Sequence, residues 1–110
     1  MTGQVIDETA LSELRSIMGD DFQLLIDTFI NDSEQRIIAL QAAISNADAE
    51  SLRTSAHSFK GSSLNISAAK LTELCKDLED RGRESRLEGA DEVLAELKIA
   101  YDEVKAYFAA

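Results

Sequence analysis

The sequence predicts an all-α protein, an antiparallel up-down-up-down four-helix bundle with a short additional N-terminal helix. Apolar residues recur every three or four positions along most of the chain, and no stretch alternates apolar and polar residues as a surface strand does. The 110 residues include no proline and only five glycines. This length suffices for one hydrophobic core but not for two domains. Four long amphipathic segments with short connections favour a bundle.

The N-terminal eight residues show no periodicity. We therefore assign residues 1–8 to a flexible tail and residues 9–110 to the bundle domain. Asp7 or Thr9 is suited to cap a short first helix that ends at Gly19. This helix is too short to be a full member of the bundle, so we expect it to cover one end.

A long second helix is predicted from about Asp20 to Asn46. Leu24 and Ile38 fall outside its apolar stripe, and we expect the first helix to cover Leu24. The stripe itself keeps to one face and consists of Phe22, Leu25, Ile26, Phe29, Ser33, Ile37, Leu40 and Ile44.

A short turn, Asn46-Ala47-Asp48, leads into a third helix that Asp48 is suited to cap. This helix carries His57, the only histidine of the chain. His57 lies about 140° from the centre of the apolar stripe of the helix, so it faces solvent. The short turn makes the second and third helices antiparallel neighbours, which places Ile38 and His57 at similar heights.

Four residues share the outward face of His57 within about one or two turns. They are Arg53, Lys60, Gly61 and Leu64. Together with Ile38, they outline a surface on which a partner protein could dock.

The remaining chain predicts two more helices. Ser67 is suited to cap a fourth helix that continues past the weak point Gly82, and residues 84–89 then form a loop. The last helix is predicted from about Ala90 to Phe108. Cys75, the only cysteine, falls on an apolar face and is expected to be a buried small hydrophobe.

The formal net charge of −10 argues against nucleic acid and anionic membranes as partners. Residues 51–72 contain no Asp or Glu but do contain Arg53, Lys60 and Lys70. This acid-free window suggests an anionic target, although such windows also occur by chance. The N-terminus lacks the features of a signal peptide and no apolar run is long enough to span a membrane, so we expect a cytoplasmic protein and a monomer.

The residue inventory excludes several kinds of enzyme. One histidine and one cysteine cannot build a His/Cys metal centre, and the chain has no glycine-rich nucleotide loop. An exposed imidazole can nevertheless accept a phosphoryl group, because it is largely neutral at cellular pH and keeps a lone pair for attack. Lys60 could offset the incoming charge, and Gly61 could leave room for a partner. The alternative is an incidental surface histidine.

The stretch Ala56-His57-Ser58-Phe59-Lys60-Gly61-Ser62-Ser63 resembles the histidine-containing phosphotransfer (HPt) domain of bacterial two-component phosphorelays. The resemblance continues through residues 64–68 and then through Leu71, Leu74-Cys75 and Leu78-Glu79. The resemblance extends over nearly the whole chain. It implies that His57 is the phosphoacceptor, Lys60 its charge partner and Gly61 the clearance position. Ser67 stands where the family usually has glycine, and we expect this to change the turn locally.

The resemblance also implies a phosphorelay intermediate without kinase activity of its own. His57 would accept a phosphoryl group from the receiver domain of a hybrid sensor histidine kinase and pass it to the receiver domain of a response regulator. We expect no cofactor or metal in this chain, with Mg²⁺ in the partner receiver. The alternative is a helical adaptor that is not phosphorylated and binds a signalling partner through Ile38, Arg53 and Leu64.

Overall fold

A computed structural model describes residues 4–109, and every regular element among them is an α-helix. The second and last helices begin and end within one residue of their predicted bounds. The helices α2 to α5 each contact the next in chain order, α2 also contacts α5, and α1 contacts α2. The predicted helical bundle is therefore confirmed. The five helices are α1 (Glu8–Met18), α2 (Asp21–Ser45), α3 (Ala49–Asn65), α4 (Ala69–Arg83) and α5 (Ala90–Ala109).

Apolar side chains from all five helices meet in one core. At its centre the Phe29 ring lies 6.3 Å from the Phe59 ring and 6.4 Å from the Tyr101 ring, which connects α2, α3 and α5. Cys75 is fully buried, as predicted, and this burial raises the pKa of its thiol to about 12. The core face predicted for α2 is confirmed by the burial of Phe22, Ile26, Phe29, Ser33 and Leu40.

Residues 4–8 pack against the bundle. The Ile6 side chain is buried in the core. The Asp7 backbone N–H donates to the Ser67 carbonyl at 2.8 Å, and the Lys70 N–H donates to the Gln4 carbonyl at 3.0 Å. Residues 4–8 therefore bury apolar surface and bond to the α3–α4 turn and to the first turn of α4, while the assignment of residues 1–8 to a flexible tail stays a prediction. Residues 1–3 lie outside the described residues.

Two of the three predicted helix caps are confirmed. Asp7 and Asp48 each accept a backbone N–H from the first turn of α1 and α3. Ser67 does not cap α4, because the cap position is Ala68, which has no side-chain hydrogen bond to the helix. The bond from Lys70 to the N-terminal segment instead satisfies one of the free N–H groups of this helix end.

Ser67 adopts a backbone φ of 63°, in the left-handed region. The Ala68 N–H donates back to the Ser63 carbonyl at 3.0 Å, which closes the C-terminus of α3 as a Schellman motif. Glycine adopts this conformation without strain, whereas another residue loses about 1 kcal/mol. The turn at Ser67 therefore keeps the geometry that suits glycine and stores a small strain.

The exposed apolar residues of α2 differ from expectation at one position. Leu24 remains exposed, so the prediction that the first helix covers it is wrong. The α1 helix instead lies over Phe22, where the Arg15 guanidinium stands 4.9 Å from the ring centre. Ile38 is exposed, as expected. Among the described residues, no helix combines the length and the apolar character needed to cross a membrane.

The backbones of α3 and α4 lie close together at Gly82. A Cβ atom at this position would lie 2.6 Å from the Arg53 backbone nitrogen and 2.8 Å from the Ala49 carbonyl oxygen. Both are backbone atoms, which cannot relieve the clash by a change of rotamer as a side chain could. The glycine that the sequence marks as a weak point of the helix is thus the residue that allows α4 to pack against α3.

We expect Gly82→Ala to lower the free energy of unfolding by about 1–3 kcal/mol, because the added methyl group forces the two helices apart. Urea unfolding followed by circular dichroism measures this change. The matched control is Gly61→Ala on α3, where an added Cβ meets no atom within 4 Å. This control should raise stability by about 0.8–1 kcal/mol through helix propensity alone. Equal effects of the two substitutions would contradict the close approach at Gly82.

Candidate functional site

His57 projects from the outward face of α3, and its side chain is 66% exposed. Its position in solvent, predicted from the helical periodicity, is confirmed. The ring is not free, however, because its Nδ1 atom lies 2.8 Å from Oε2 of Glu79 on α4. An ionised carboxylate only accepts hydrogen bonds, so Nδ1 carries the proton and Nε2 keeps its lone pair.

Glu79 is a buried carboxylate whose side chain is only 4% exposed. Besides His57, it meets Lys60, with the Nζ atom 2.6 Å from Oε1, and Arg83, with the Nη2 atom 3.1 Å from Oε2. Burial by itself would raise the pKa of Glu79, but the interactions with Lys60 and His57 outweigh it, so that this pKa lies below its usual value. The carboxylate is therefore ionised at neutral pH and is paired with cations on both of its oxygens.

Sequence reasoning included Glu79 in the family resemblance but did not identify it as the partner of His57. Residues 51–72 contain no acidic residue, and the carboxylate beside His57 comes from α4, outside this window. A signal was present in the pattern of α4. Glu79 shares the buried stripe of Leu71, Cys75 and Leu78, and a carboxylate on a core-facing stripe requires a cationic or hydrogen-bonding partner.

The two cations expected beside His57 are both engaged with carboxylates. Lys60 turns to Glu79 and its side chain is 29% exposed, whereas Arg53 pairs with Glu50 on its own helix. Lys60 therefore belongs to the network that holds the imidazole. Arg53 lies at the edge of this network, and its predicted role in binding a partner stays a prediction.

The surface around His57 is open on the side of Gly61. An added Cβ there would have no neighbouring atom within 4 Å. Leu64 lies further along the same helix face and is exposed. Ile38 is also exposed, but the residue of α2 that reaches α3 next to the histidine is Arg36, which hydrogen-bonds to the Ser58 hydroxyl.

Arg36 and Ser58 belong to a shallow groove between α2 and α3 with a volume of about 290 Å³. The groove is lined by Gln35, Arg36, Ala39, Thr54, Ser55 and Ser58. The predicted neighbour Ile38 is not among the lining residues. Within residues 4–109, no group of three or more His, Cys, Asp or Glu side chains is arranged to hold a metal ion.

The arrangement provides a nucleophile of fixed orientation. A buried carboxylate fixes the protonated Nδ1 of the imidazole, so the lone pair of Nε2 points away from the protein toward an approaching group. An adjacent lysine can offset negative charge, and the absence of a side chain at Gly61 leaves space beside the ring. These features suit attack on an electrophile carried by another protein.

Comparison with known proteins agrees with this geometry. The model of the Hpt domain family matches residues 24–107. The crystal structure of histidine-containing phosphotransfer protein B (HptB) from Pseudomonas aeruginosa PAO1 superposes with a TM-score of 0.94 at 36% sequence identity, covering 98% of this chain and 94% of that one. No curated protein sequence is similar enough to count as a match.

We expect the acid sensitivity of folding to depend on Glu79. Its pKa is lower in the folded state, so the stabilisation is fully present above its usual pKa and is lost as pH falls through the lowered value. The free energy of unfolding of wild type should therefore fall more steeply below about pH 5 than that of Glu79→Gln. Urea unfolding across this pH range measures both slopes.

The control for this experiment is Glu73→Gln, which changes the same charge at an exposed position of the same helix. Its unfolding free energy should follow the wild-type curve. Parallel curves for wild type and Glu79→Gln would contradict an ionised Glu79 in the folded protein. At neutral pH, Glu79→Gln should already be less stable by about 1–3 kcal/mol, because Lys60 loses its charged partner.

Proposed function

Because this chain belongs to the histidine-containing phosphotransfer (Hpt) domain family and serves histidine phosphotransfer in phosphorelays, we propose that His57 is its phosphoacceptor. In this proposal, His57 takes the phosphoryl group from the receiver-domain aspartate of a hybrid sensor kinase. It then passes the group to the receiver domain of a response regulator.

The observation that carries the proposal is the hydrogen bond between His57 Nδ1 and the buried Glu79 carboxylate. It selects the tautomer in which Nε2 is the nucleophile, and it holds the ring on a rigid helix rather than on a loop. An incidental surface histidine would have no reason to engage a carboxylate that is 4% exposed.

The transfer step needs no base in this chain. The Nε2 lone pair attacks phosphorus, the Nε2–P bond forms, and the P–O bond to the receiver aspartate breaks with its electron pair left on the aspartate carboxylate. The ring keeps its Nδ1 proton and becomes a cationic phosphoimidazole, whose charge Glu79 stabilises from 2.8 Å. In the reverse direction the same pair of electrons returns to Nε2.

Lys60 and Gly61 have supporting roles in this proposal. Lys60 lies one helical turn from His57 and is the cation that can turn toward the phosphoryl oxygens. Gly61 leaves the partner's active-site loops free to approach the ring, since its position is open to solvent. The Mg²⁺ that neutralises the phosphoryl group is assigned to the receiver domain, whose aspartate carries that group, and no kinase activity is assigned to this chain.

The proposal extends to the course of the helices and to the setting of the protein. Two contacts support an antiparallel pairing of α2 and α5: Lys98 bonds to Gln41, and Lys105 bonds to Glu34, so residue numbers rise on one helix and fall on the other. An up-down-up-down bundle follows if the other pairs run likewise. We place it in the cytoplasm as a monomer, where receiver domains can reach it.

A second function is favoured by the exposure of Ile38 and Leu64. Two large apolar side chains in solvent suit an adaptor that binds a signalling partner without being phosphorylated. The adaptor and the phosphorelay intermediate differ in whether a covalent bond forms on His57. One transfer experiment therefore distinguishes them.

We expect the protein, mixed with a phosphorylated receiver domain and Mg²⁺, to acquire a phosphoryl group that is labile in acid and stable in base. His57→Gln should acquire none while keeping its circular dichroism spectrum, because it lacks the only imidazole. Radiolabel transfer resolved by gel electrophoresis measures the product. Stoichiometric binding of the receiver without transfer would favour the adaptor and would overturn the relay.

Substitutions at Gly61 should separate transfer from stability. Gly61→Ala and Gly61→Leu should both unfold at higher urea concentration than wild type, because the position is helical and open. The transfer rate should nevertheless fall, by about tenfold or more for the leucine, since each 1.4 kcal/mol of hindered approach is worth tenfold. Rapid-quench kinetics measures the rate. An unchanged rate in Gly61→Leu would exclude the clearance role.

A further inference from the structure

We propose that Arg83 is a positioning residue for phosphoryl transfer, which keeps Glu79 ionised and aligned with His57 while Lys60 engages the phosphoryl group. This inference rests on the proposed function of His57. It concerns a residue that lies in the last turn of α4, outside the sequence motif around the histidine.

The geometry places Arg83 on the same carboxylate oxygen that binds the imidazole. Its Nη2 atom lies 3.1 Å from Oε2 of Glu79, and His57 Nδ1 lies 2.8 Å from that oxygen. Its Nη1 atom lies 2.6 Å from Oδ1 of Asp80, and the other oxygen of Asp80, Oδ2, accepts a hydrogen bond from Lys76 Nζ at 2.9 Å. The guanidinium is thus held between two neighbouring carboxylates and has a defined orientation.

Lys60 occupies the other oxygen of Glu79, at 2.6 Å from Oε1. A phosphoryl group arriving on His57 brings a charge near −2, comparable to that of other phosphorylated side chains. Lys60 is then attracted to two anions at once. To the extent that it turns to the phosphoryl group, it weakens its hold on a carboxylate that is almost fully buried.

A buried carboxylate that loses a cationic partner is strongly destabilised unless another charge remains beside it. Arg83 supplies that charge on the opposite oxygen. It keeps Glu79 ionised, and Glu79 in turn keeps the proton on Nδ1 of His57. Arg83 therefore makes it possible for one lysine to serve first the carboxylate and then the phosphoryl group.

The test uses the fact that His57 is the only histidine, so the ¹⁵N spectrum of histidine-labelled protein reports on this ring alone. In wild type, the nitrogen shifts at alkaline pH should correspond to the Nδ1–H tautomer. In Arg83→Ala, the shifts should move toward the tautomeric mixture of free imidazole. Arg83→Lys should restore part of the wild-type pattern, since it returns the charge.

The second readout is the transfer rate from a phosphorylated receiver. Arg83→Ala should slow transfer by about fivefold, and by more than this factor when Lys60→Ala is already present, because the two cations share one carboxylate. The matched control is Arg86→Ala. Arg86 is 55% exposed against 54% for Arg83, and it pairs with Glu84 rather than with Glu79.

Tautomer shifts and transfer rates that are equal in Arg83→Ala and Arg86→Ala would overturn the positioning role. A wild-type protein that is never phosphorylated on His57 would overturn the proposed function instead. The nitrogen spectra of the unphosphorylated variants would still report whether Arg83 aligns the ring, so the two failures are distinguishable.

Discussion

The arrangement of the site depends on one buried carboxylate. Glu79 lies beneath the surface of the bundle and is stable there as an anion because its carboxylate pairs with the side chains of His57, Lys60 and Arg83. Two of these partners come from α3 and one from α4, so the pairing requires that the two helices meet in one register. Gly82 makes this possible, since its missing side chain lets the backbones approach within van der Waals distance one turn beyond Glu79.

The two helical glycines near the site have opposite physical roles. Gly82 is buried, and its lack of a side chain serves contact between α3 and α4 within the molecule. Gly61 is exposed, and in the proposed function its lack of a side chain leaves space for the approaching receiver domain. Helix propensity disfavours both glycines equally. The difference between them lies in what fills the space of the missing side chain, which is the α3 backbone at Gly82 and solvent at Gly61. Stability and function thus set separate requirements on the same residue type.

Much of the fold could be predicted from the sequence, because helix bounds and buried stripes follow from local periodicity. The exposure of His57 and the cap at Asp48 are of this kind. Glu79 could not be recognised as its partner, since a hydrogen bond between residues 22 positions apart depends on how two helices pack. The packing of Ile6 could not be predicted either, because Val5 and Ile6 alone are too few to form a periodic pattern.

The N-terminal segment, residues 4–7, is hydrogen-bonded to the α3–α4 turn and to the first turn of α4. The start of α4 therefore depends on a segment that is distant in the sequence. The Lys70 amide finds its acceptor in the Gln4 carbonyl rather than within α4. Its rate of hydrogen exchange with solvent is therefore governed by detachment of the N-terminal segment, which exposes few apolar groups compared with global unfolding. Exchange at this single amide thus reports on the attachment of the N-terminal segment, separately from the stability of the bundle as a whole.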